Sequence, residues 1–268
     1  MMGVIYCVII LGVLYVLSTR CRRGHPEMKN LLGWKYAHRG LHGNGSPENS
    51  MSAFRKARDM GYGVELDVHL LADGNLAVIH DSQLKRMTGL DGKVEDLTTE
   101  QLKQCFLAGT EETIPEFRQV LDLYAGRAPL IVELKVAGNN WAELCRKTCE
   151  MLDTYKGVYC MESFDPRCVH WLKKNRPDVI RGQLTENYFK RKNPLPFILK
   201  LLLTHQMLNF LTLPDFVAYR YEDSATFSDW LVRKVQKIQG VAWTLGNRED
   251  YDRAVEDGLI PIFENFTP

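Results

Sequence analysis

From residue 34 onward, short apolar runs alternate with longer stretches in which apolar residues recur at helical spacing. The first pattern marks buried strands and the second amphipathic helices. Their alternation predicts a parallel sheet with helical crossovers. Strands are expected over residues 35–38, 63–68, 76–80, 130–134, 157–161, 179–183, 216–219 and 241–244. Helices are expected over 50–60, 141–155, 167–175, 229–239 and 248–256. Eight strands with intervening helices predict an α/β fold, the TIM (β/α)8 barrel. One step is irregular. Only a short turn at Asp73-Gly74 separates 63–68 from 76–80, as in a hairpin.

Two apolar stretches break the alternation. Residues 1–19 carry no charged side chain. They predict one N-terminal transmembrane helix of about the minimum length, near 20 residues. The basic start and small-residue cleavage site of a signal peptide are missing, so the segment reads as an uncleaved anchor. Arg20, Arg22 and Arg23 follow directly. By the positive-inside rule this flank stays cytoplasmic. The expected layout is a transmembrane anchor at 1–19, a basic juxtamembrane linker at 20–33 and a barrel at 34–268. The protein is then single-pass in the cell membrane with its barrel in the cytoplasm. The second stretch, 194–213, has Lys200 as its only fixed charge. A span between the sixth and seventh strands would tear the barrel apart, so it reads as a buried barrel helix with a connector. The other reading is an apolar lip at the face where βα loops open.

Composition narrows the class. Hydrophobic residues make up 45% and charged residues 25% of the chain, as in an ordinary globular protein. A length of 268 residues suits one barrel. The net charge of +1 leaves no broad basic footprint for nucleic acid. Seven Cys without Cys-x-x-Cys spacing read most simply as free thiols in a reducing compartment.

The candidate chemistry is concentrated in residues 38–81: His38-Arg39-Gly40, Pro47-Glu48-Asn49, Glu65-Leu66-Asp67 and His80-Asp81. Two histidines can serve as acid and base. Two carboxylates separated by one residue on a strand face the same side, as metal ligands should. An Arg beside the first His suits a phosphate oxygen. Together these groups describe metal-assisted phosphodiester cleavage. His38, Asp67, His80 and Glu133 all fall at or near the ends of predicted strands, where such barrels gather their reactive groups. Glu65, Asp67 and Glu133 converge without an equal number of Lys or Arg, which calls for one hard divalent cation, Mg²⁺ or Ca²⁺. Zinc lacks a Cys and His set at suitable spacing.

The order of these motifs resembles the glycerophosphodiester phosphodiesterase family. The resemblance continues through Glu133-Leu134-Lys135 and, more weakly, Glu162-Ser163-Phe164-Asp165-Pro166, Arg181-Gly182-Gln183-Leu184 and Trp243-Thr244. It covers the chain from Trp34 to the C-terminus and points to a membrane-anchored, bacterial-like member. It implies hydrolysis of glycerophosphodiesters to glycerol 3-phosphate and an alcohol, in lipid or headgroup metabolism. His38 is then the base and His80 the acid, with Glu65, Asp67 and Glu133 on the metal. Arg39 and Lys135 are implied phosphate contacts. Glu48 would orient His38, Arg39 or the glycerol hydroxyls, and Trp243 would wall the glycerol. The attacking oxygen is either the glycerol 2-hydroxyl, through a cyclic phosphate, or water. A small insertion at about 82–128 is implied to cover part of the site, and the irregular hairpin is shared by the family.

Two other readings stay open. One is lysophospholipase D-type activity on membrane lipids. The other is a non-catalytic phosphodiester-binding barrel, which would need no paired acid and base. The expected partners are a glycerophosphodiester or lysophospholipid substrate and the membrane, with no nucleic acid and no obligate protein partner. His42, His69, His170 and His205 match no motif and read as structural or solvent-facing. A chain starting near Gly33 is expected to keep its solubility and every site residue.

Overall fold

The computed structural model describes residues Met1–Pro268. Its strands are β1 (Tyr36–His38), β2 (Gly63–Leu70), β3 (Leu76–Val78), β4 (Leu130–Leu134), β5 (Tyr159–Ser163), β6 (Arg181–Thr185), β7 (Phe216–Arg220), β8 (Gln239–Leu245) and β9 (Ile260–Phe263). They form one nine-stranded sheet in the order β1-β9-β8-β7-β6-β5-β4-β2-β3, and β1 also pairs with β2, so the sheet closes on itself. Every pairing is parallel except β2 with β3. The eight-stranded parallel barrel is therefore present, but its membership differs from the sequence reading. Residues 76–80 do not supply a barrel strand. Leu76–Val78 is the antiparallel arm of a hairpin on β2. The remaining barrel strand is Ile260–Phe263, between β1 and β8. It was missed because it is four residues long and contains Pro261, and both features weaken a strand signal.

Alternation along β2 shows how the layers form. Val64, Leu66 and Val68 point outward into the core shared with the helices, where Phe54, Phe117 and Leu144 also lie. Glu65 and Asp67, between them, point into the barrel. The lower barrel interior is apolar, filled by Tyr36, Ile131, Cys160, Phe216, Val241 and Ile260. Gly182 leaves room there. A Cβ at that position would sit 2.1 Å from the Phe216 ring. Fully burying each such large side chain contributes about 1.5–3 kcal/mol.

Four of the expected helices appear close to their predicted bounds: Met51–Asp59, Trp141–Leu152, Pro166–Asn175 and Arg248–Glu256. Ser50 caps the first by accepting from the Ala53 N–H at 3.2 Å. The fifth is shorter, Phe227–Trp230, and runs into a wider turn, Leu231–Val235, where the Gln236 N–H donates to the Leu231 carbonyl. Within 82–128, Leu84, Met87, Val94 and Leu102 build a satellite core with Leu71 and Ile79. The stretch then ends in a regular barrel helix, Phe117–Tyr124. The apolar stretch at 194–213 folds as Phe197–Thr204 and Asn209–Thr212. Leu203 is buried while Phe197 is 67% exposed, so burial describes only one face of it.

The expected transmembrane helix is corrected. The N-terminal helix is Met2–Ser18, 17 residues with no buried side chain, and no helix is long and apolar enough to cross a membrane. At 1.5 Å per residue it reaches about 26 Å, short of a hydrocarbon core of about 30 Å. The following segment is stitched to the barrel. Thr19 accepts from the Gln236 amide at 2.8 Å, Cys21 packs against Val217, Val232 and Ile238, and Arg22 pairs with Asp215. Leu31 is 1% exposed and lies against the barrel interior residues. A chain starting at Gly33 should therefore melt well below one starting at Thr19. Loss of Leu31 alone costs about 2–5 kcal/mol, and Asp215 loses the charge that neutralises it. Equal melting temperatures for the two chains would contradict this account of residues 19–31.

Candidate active site

The upper barrel interior changes from apolar to charged. β1 ends at His38, and backbone turns at Arg39 (φ 53°) and Gly40 (φ 81°) lead the chain away. A Cβ on Gly40 would lie 2.9 Å from the Ala53 backbone, so this turn needs glycine for both its φ and its closeness to the next helix. The turn aims the Arg39 guanidinium inward: its Nε lies 3.3 Å from Asp67 Oδ2, and its Nη1 donates to Glu48 at 2.9 Å. Glu48 also accepts from Arg86 at 2.7 Å, which ties the 82–128 stretch to the site. Asn49, with φ 55° and 1% exposure, donates its amide to Asp67 at 2.7 Å.

His80 reaches the site by a route that the strand count did not foresee. It does not close a parallel strand. The hairpin folds back over the barrel mouth, the Ile79 N–H donates to the Asp67 carbonyl at 3.1 Å, and His80 follows. Its Nδ1 lies 2.6 Å from Asp81 Oδ1. His38 has a similar anchor, with Nδ1 2.7 Å from Glu264 Oε2. An ionised carboxylate only accepts hydrogen bonds, so each Nδ1 carries the proton and each Nε2 keeps its lone pair for the cavity. Both histidines line one cavity of about 40 Å³ with Glu65, Glu133, Glu162 and Trp243. Burial lowers the His38 pKa, partly opposed by Glu264. Burial and then Lys135 lower that of His80 to about 4.

Glu65, Asp67 and Glu133 offer oxygens that all lie within 4.8 Å of one another. Lys135 Nζ sits 2.8 Å from Glu133 and 3.1 Å from Asp67. A fourth acid, Glu162, stands beside Glu133 in register and is 1% exposed. Burial, then the neighbouring carboxylates, pushes Glu65 and Glu162 well above the usual range. Burial also raises Glu133, against the pull of Lys135. Burial alone would raise Asp67 too, but Lys135 and Arg39 hold it below its normal value. Asp67 Oδ1 and Glu162 Oε2 are buried without an aligned hydrogen bond.

All nine residues singled out from the sequence lie in or against this site. Trp243 lies edge-on to Phe164, with centroids 5.4 Å apart, and forms an apolar wall of the cavity. Sequence reasoning missed Asn49, Glu162 and Glu264. Asn49 and Glu162 stood inside recognised motifs, and the in-register position of Glu162 beside Glu133 was a usable signal. Glu264 lies one residue beyond the unforeseen strand β9. His69 is buried and structural, with its ring nitrogens at Glu95 (2.6 Å) and the His80 carbonyl (3.2 Å).

The model of the glycerophosphoryl diester phosphodiesterase family matches residues 38–267. A glycerophosphodiester phosphodiesterase of Caldanaerobacter subterraneus subsp. tengcongensis is 40% identical over 243 residues, covering 87% of this chain and 92% of that protein. A lysophospholipase D of Homo sapiens is 24% identical, covering 90% of this chain and 85% of that protein. The solved structure of an Oleispira antarctica phosphodiesterase, in complex with the product sn-glycerol-3-phosphate, has a TM-score of 0.71 at 22% identity. It covers 88% of this chain and 94% of that one, and the likeness is one of fold. The family match over the whole barrel and the 40% identity to a relative of similar extent place this chain in the glycerophosphoryl diester phosphodiesterase family, as a phosphoric diester hydrolase.

Proposed function

We propose that this chain hydrolyses glycerophosphodiesters to glycerol 3-phosphate and an alcohol, with His38 as base, His80 as acid and one divalent cation held by Glu65, Asp67 and Glu133. The observation that carries this reading is the shared cavity. Two histidines, each anchored through Nδ1 by its own carboxylate, flank one cluster of buried acids. Four acids against two fixed cations, Arg39 and Lys135, leave an excess of negative charge, and the donor set is all oxygen. That set fits Mg²⁺ or Ca²⁺. When bound, such an ion supplies charge stabilisation at a non-bridging phosphate oxygen.

The remaining work falls to the chain. Arg39 and Lys135 present N–H donors where the phosphate gains negative charge. Glu48 and Asn49 fix Arg39 and Asp67, so these groups need little reorganisation as substrate binds. His38 Nε2 takes the proton from the attacking oxygen, the glycerol 2-hydroxyl or a water. His80, protonated at Nε2, gives its proton to the departing alkoxide. Lys135 disfavours that imidazolium, and the negative phosphodiester beside it acts in the opposite sense. Trp243 and Phe164 supply the apolar wall beside the glycerol. The test is release of glycerol 3-phosphate from glycerophosphocholine and glycerophosphoethanolamine in Mg²⁺ or Ca²⁺. No release from either, with turnover of another phosphodiester, would overturn the assignment.

A second cavity supports lysophospholipase D-type activity as a further substrate range, in keeping with the name of the human relative. It measures about 670 Å³, adjoins His80, Glu133 and Lys135, and has Tyr188, Leu195, Leu199 and Leu203 as an apolar wall. Its volume is that of a drug-sized ligand site. Leu199→Ser should lower lysophospholipid turnover by roughly tenfold, since a half-buried leucine contributes less than the about 1.5–3 kcal/mol of a fully buried one. Glycerophosphocholine turnover should be unchanged. Equal loss on both substrates would assign this wall to the fold alone.

A further inference from the structure

Closure of the barrel brings a second metal-ligand set together behind His38. β1 pairs with β9 in the register Tyr36 to Ile262 and Ala37 to Phe263, which sets Glu264 beside His38. His42, four residues after His38 and beyond the tight turn at Gly40, approaches the same carboxylate. His38 Nδ1 is 2.7 Å and His42 Nε2 is 3.8 Å from Glu264 Oε2. One ligand atom from each of the three residues falls within 4.8 Å of the others. The set faces a cavity of its own, about 480 Å³, which His42 and Glu264 line and the acidic cluster does not.

We propose that His38, His42 and Glu264 form a regulatory site for a borderline transition-metal ion such as Zn²⁺, distinct from the oxygen-only cluster, and that its occupation switches the enzyme off. Two imidazoles and one carboxylate are a known zinc donor set that leaves a fourth position for water. The acidic cluster is built of hard oxygen ligands and favours Mg²⁺ or Ca²⁺, so ligand softness separates the two sites. A tetrahedral ion at about 2.0–2.1 Å from its ligands needs them about 3.3 Å apart. Glu264 must therefore draw back slightly from His38, and His42 must move in by a similar amount. His42 stands in a loop with Gly40, Gly43 and Gly45 at positive φ, and it is only partly buried. The nearby cation, Lys56, is drawn toward the Gly43 carbonyl at 3.4 Å.

The inhibitory effect rests on the reading of His38 as the base. In the metal-free pair, Nδ1–H donates to Glu264 and Nε2 holds the free lone pair. An ion on Nδ1 needs that lone pair instead, so the ring proton moves through water from Nδ1 to Nε2 and no proton is lost overall. The nitrogen facing the substrate is then an N–H and takes no proton. His38 loses its function while remaining in place.

The experiment uses the full chain with saturating Mg²⁺, which holds the acidic cluster, and titrates Zn²⁺ or Co²⁺ into wild type and His42→Ala. Zinc retained per chain after desalting and the visible absorption of Co²⁺ report binding independently of turnover. Glycerophosphocholine hydrolysis reports the effect. Wild type should retain close to one equivalent of zinc and lose at least tenfold of its rate. His42→Ala should retain none by this route, resist inhibition and match wild type without zinc. The same zinc content and inhibition in both proteins would place the ion elsewhere and overturn the site. Zinc bound through His42 with full activity would keep the site but overturn His38 as the base. His42→Gln, which keeps the loop polar, should behave as His42→Ala. If Gln restores zinc binding, a ring nitrogen is not needed and the assignment fails.

Discussion

His38→Ala and His80→Ala are each expected to lower kcat by at least about a hundredfold, the lower range for loss of a positioned acid or base. KM should change much less, because Arg39, Lys135 and the acidic cluster still hold the phosphate. The two variants should part when the leaving group is changed. A p-nitrophenol-type alcohol departs without a proton, so it should restore much of the rate of His80→Ala. It should do little for His38→Ala, whose deficit lies in the attack. The Nδ1 anchors make the contrast specific, since Asp81 at 2.6 Å and Glu264 at 2.7 Å fix opposite rings with Nε2 free. Equal response of both variants to the better leaving group would contradict the assignment of acid and base. An undiminished rate in either would remove that residue from the chemistry.

The sequence made the acidic cluster legible because it rests on the shortest-range rule of strand geometry. Glu65 and Asp67 are two apart on β2, and Glu133 and Lys135 repeat that spacing across a parallel pairing, Asp67 opposite Glu133. Once both segments are strands, shared orientation follows from alternation. His80 was legible as a residue, and the short turn at Asp73-Gly74 pointed to the hairpin that carries it. What local pattern alone did not show is that 76–80 stands outside the eight parallel strands, because a hairpin arm and a barrel strand have the same periodicity. Glu264 was illegible for another reason. The His38–Glu264 contact joins residues 226 apart in sequence, and it forms because the last strand closes the barrel against the first. That strand, with Pro261 among its four residues, carries too little periodicity to be seen. The N-terminal stretch shows a third limit. Its apolar composition was plain, but composition does not fix where a helix stops, nor that residues 19–31 pack onto the barrel.

Removal of divalent cation is expected to abolish turnover, and Mg²⁺ or Ca²⁺ to restore it. Glu65, Glu133 and Glu162 are all buried and raised by burial and by neighbouring carboxylates, so their negative charge is unfavourable there until a cation offsets it. Lys135 and Arg39 neutralise Asp67 but not the whole cluster. A cation bound there should also stabilise the folded chain, because the unfolded chain has no such convergence of ligands. At a concentration a hundred times the Kd this amounts to about 2.7 kcal/mol, a rise in Tm of roughly 5–10 °C for a chain of this size. Asp67→Asn should lose most of that rise together with activity. It should remain folded, because Glu48, Glu65 and Glu133 still balance Arg39 and Lys135. The outcome that defeats this account is full turnover after exhaustive chelation, or a Tm that does not move when Mg²⁺ or Ca²⁺ is added to the chelated wild type. Stabilisation of Asp67→Asn equal to that of wild type would place the ion outside the Glu65, Asp67 and Glu133 cluster.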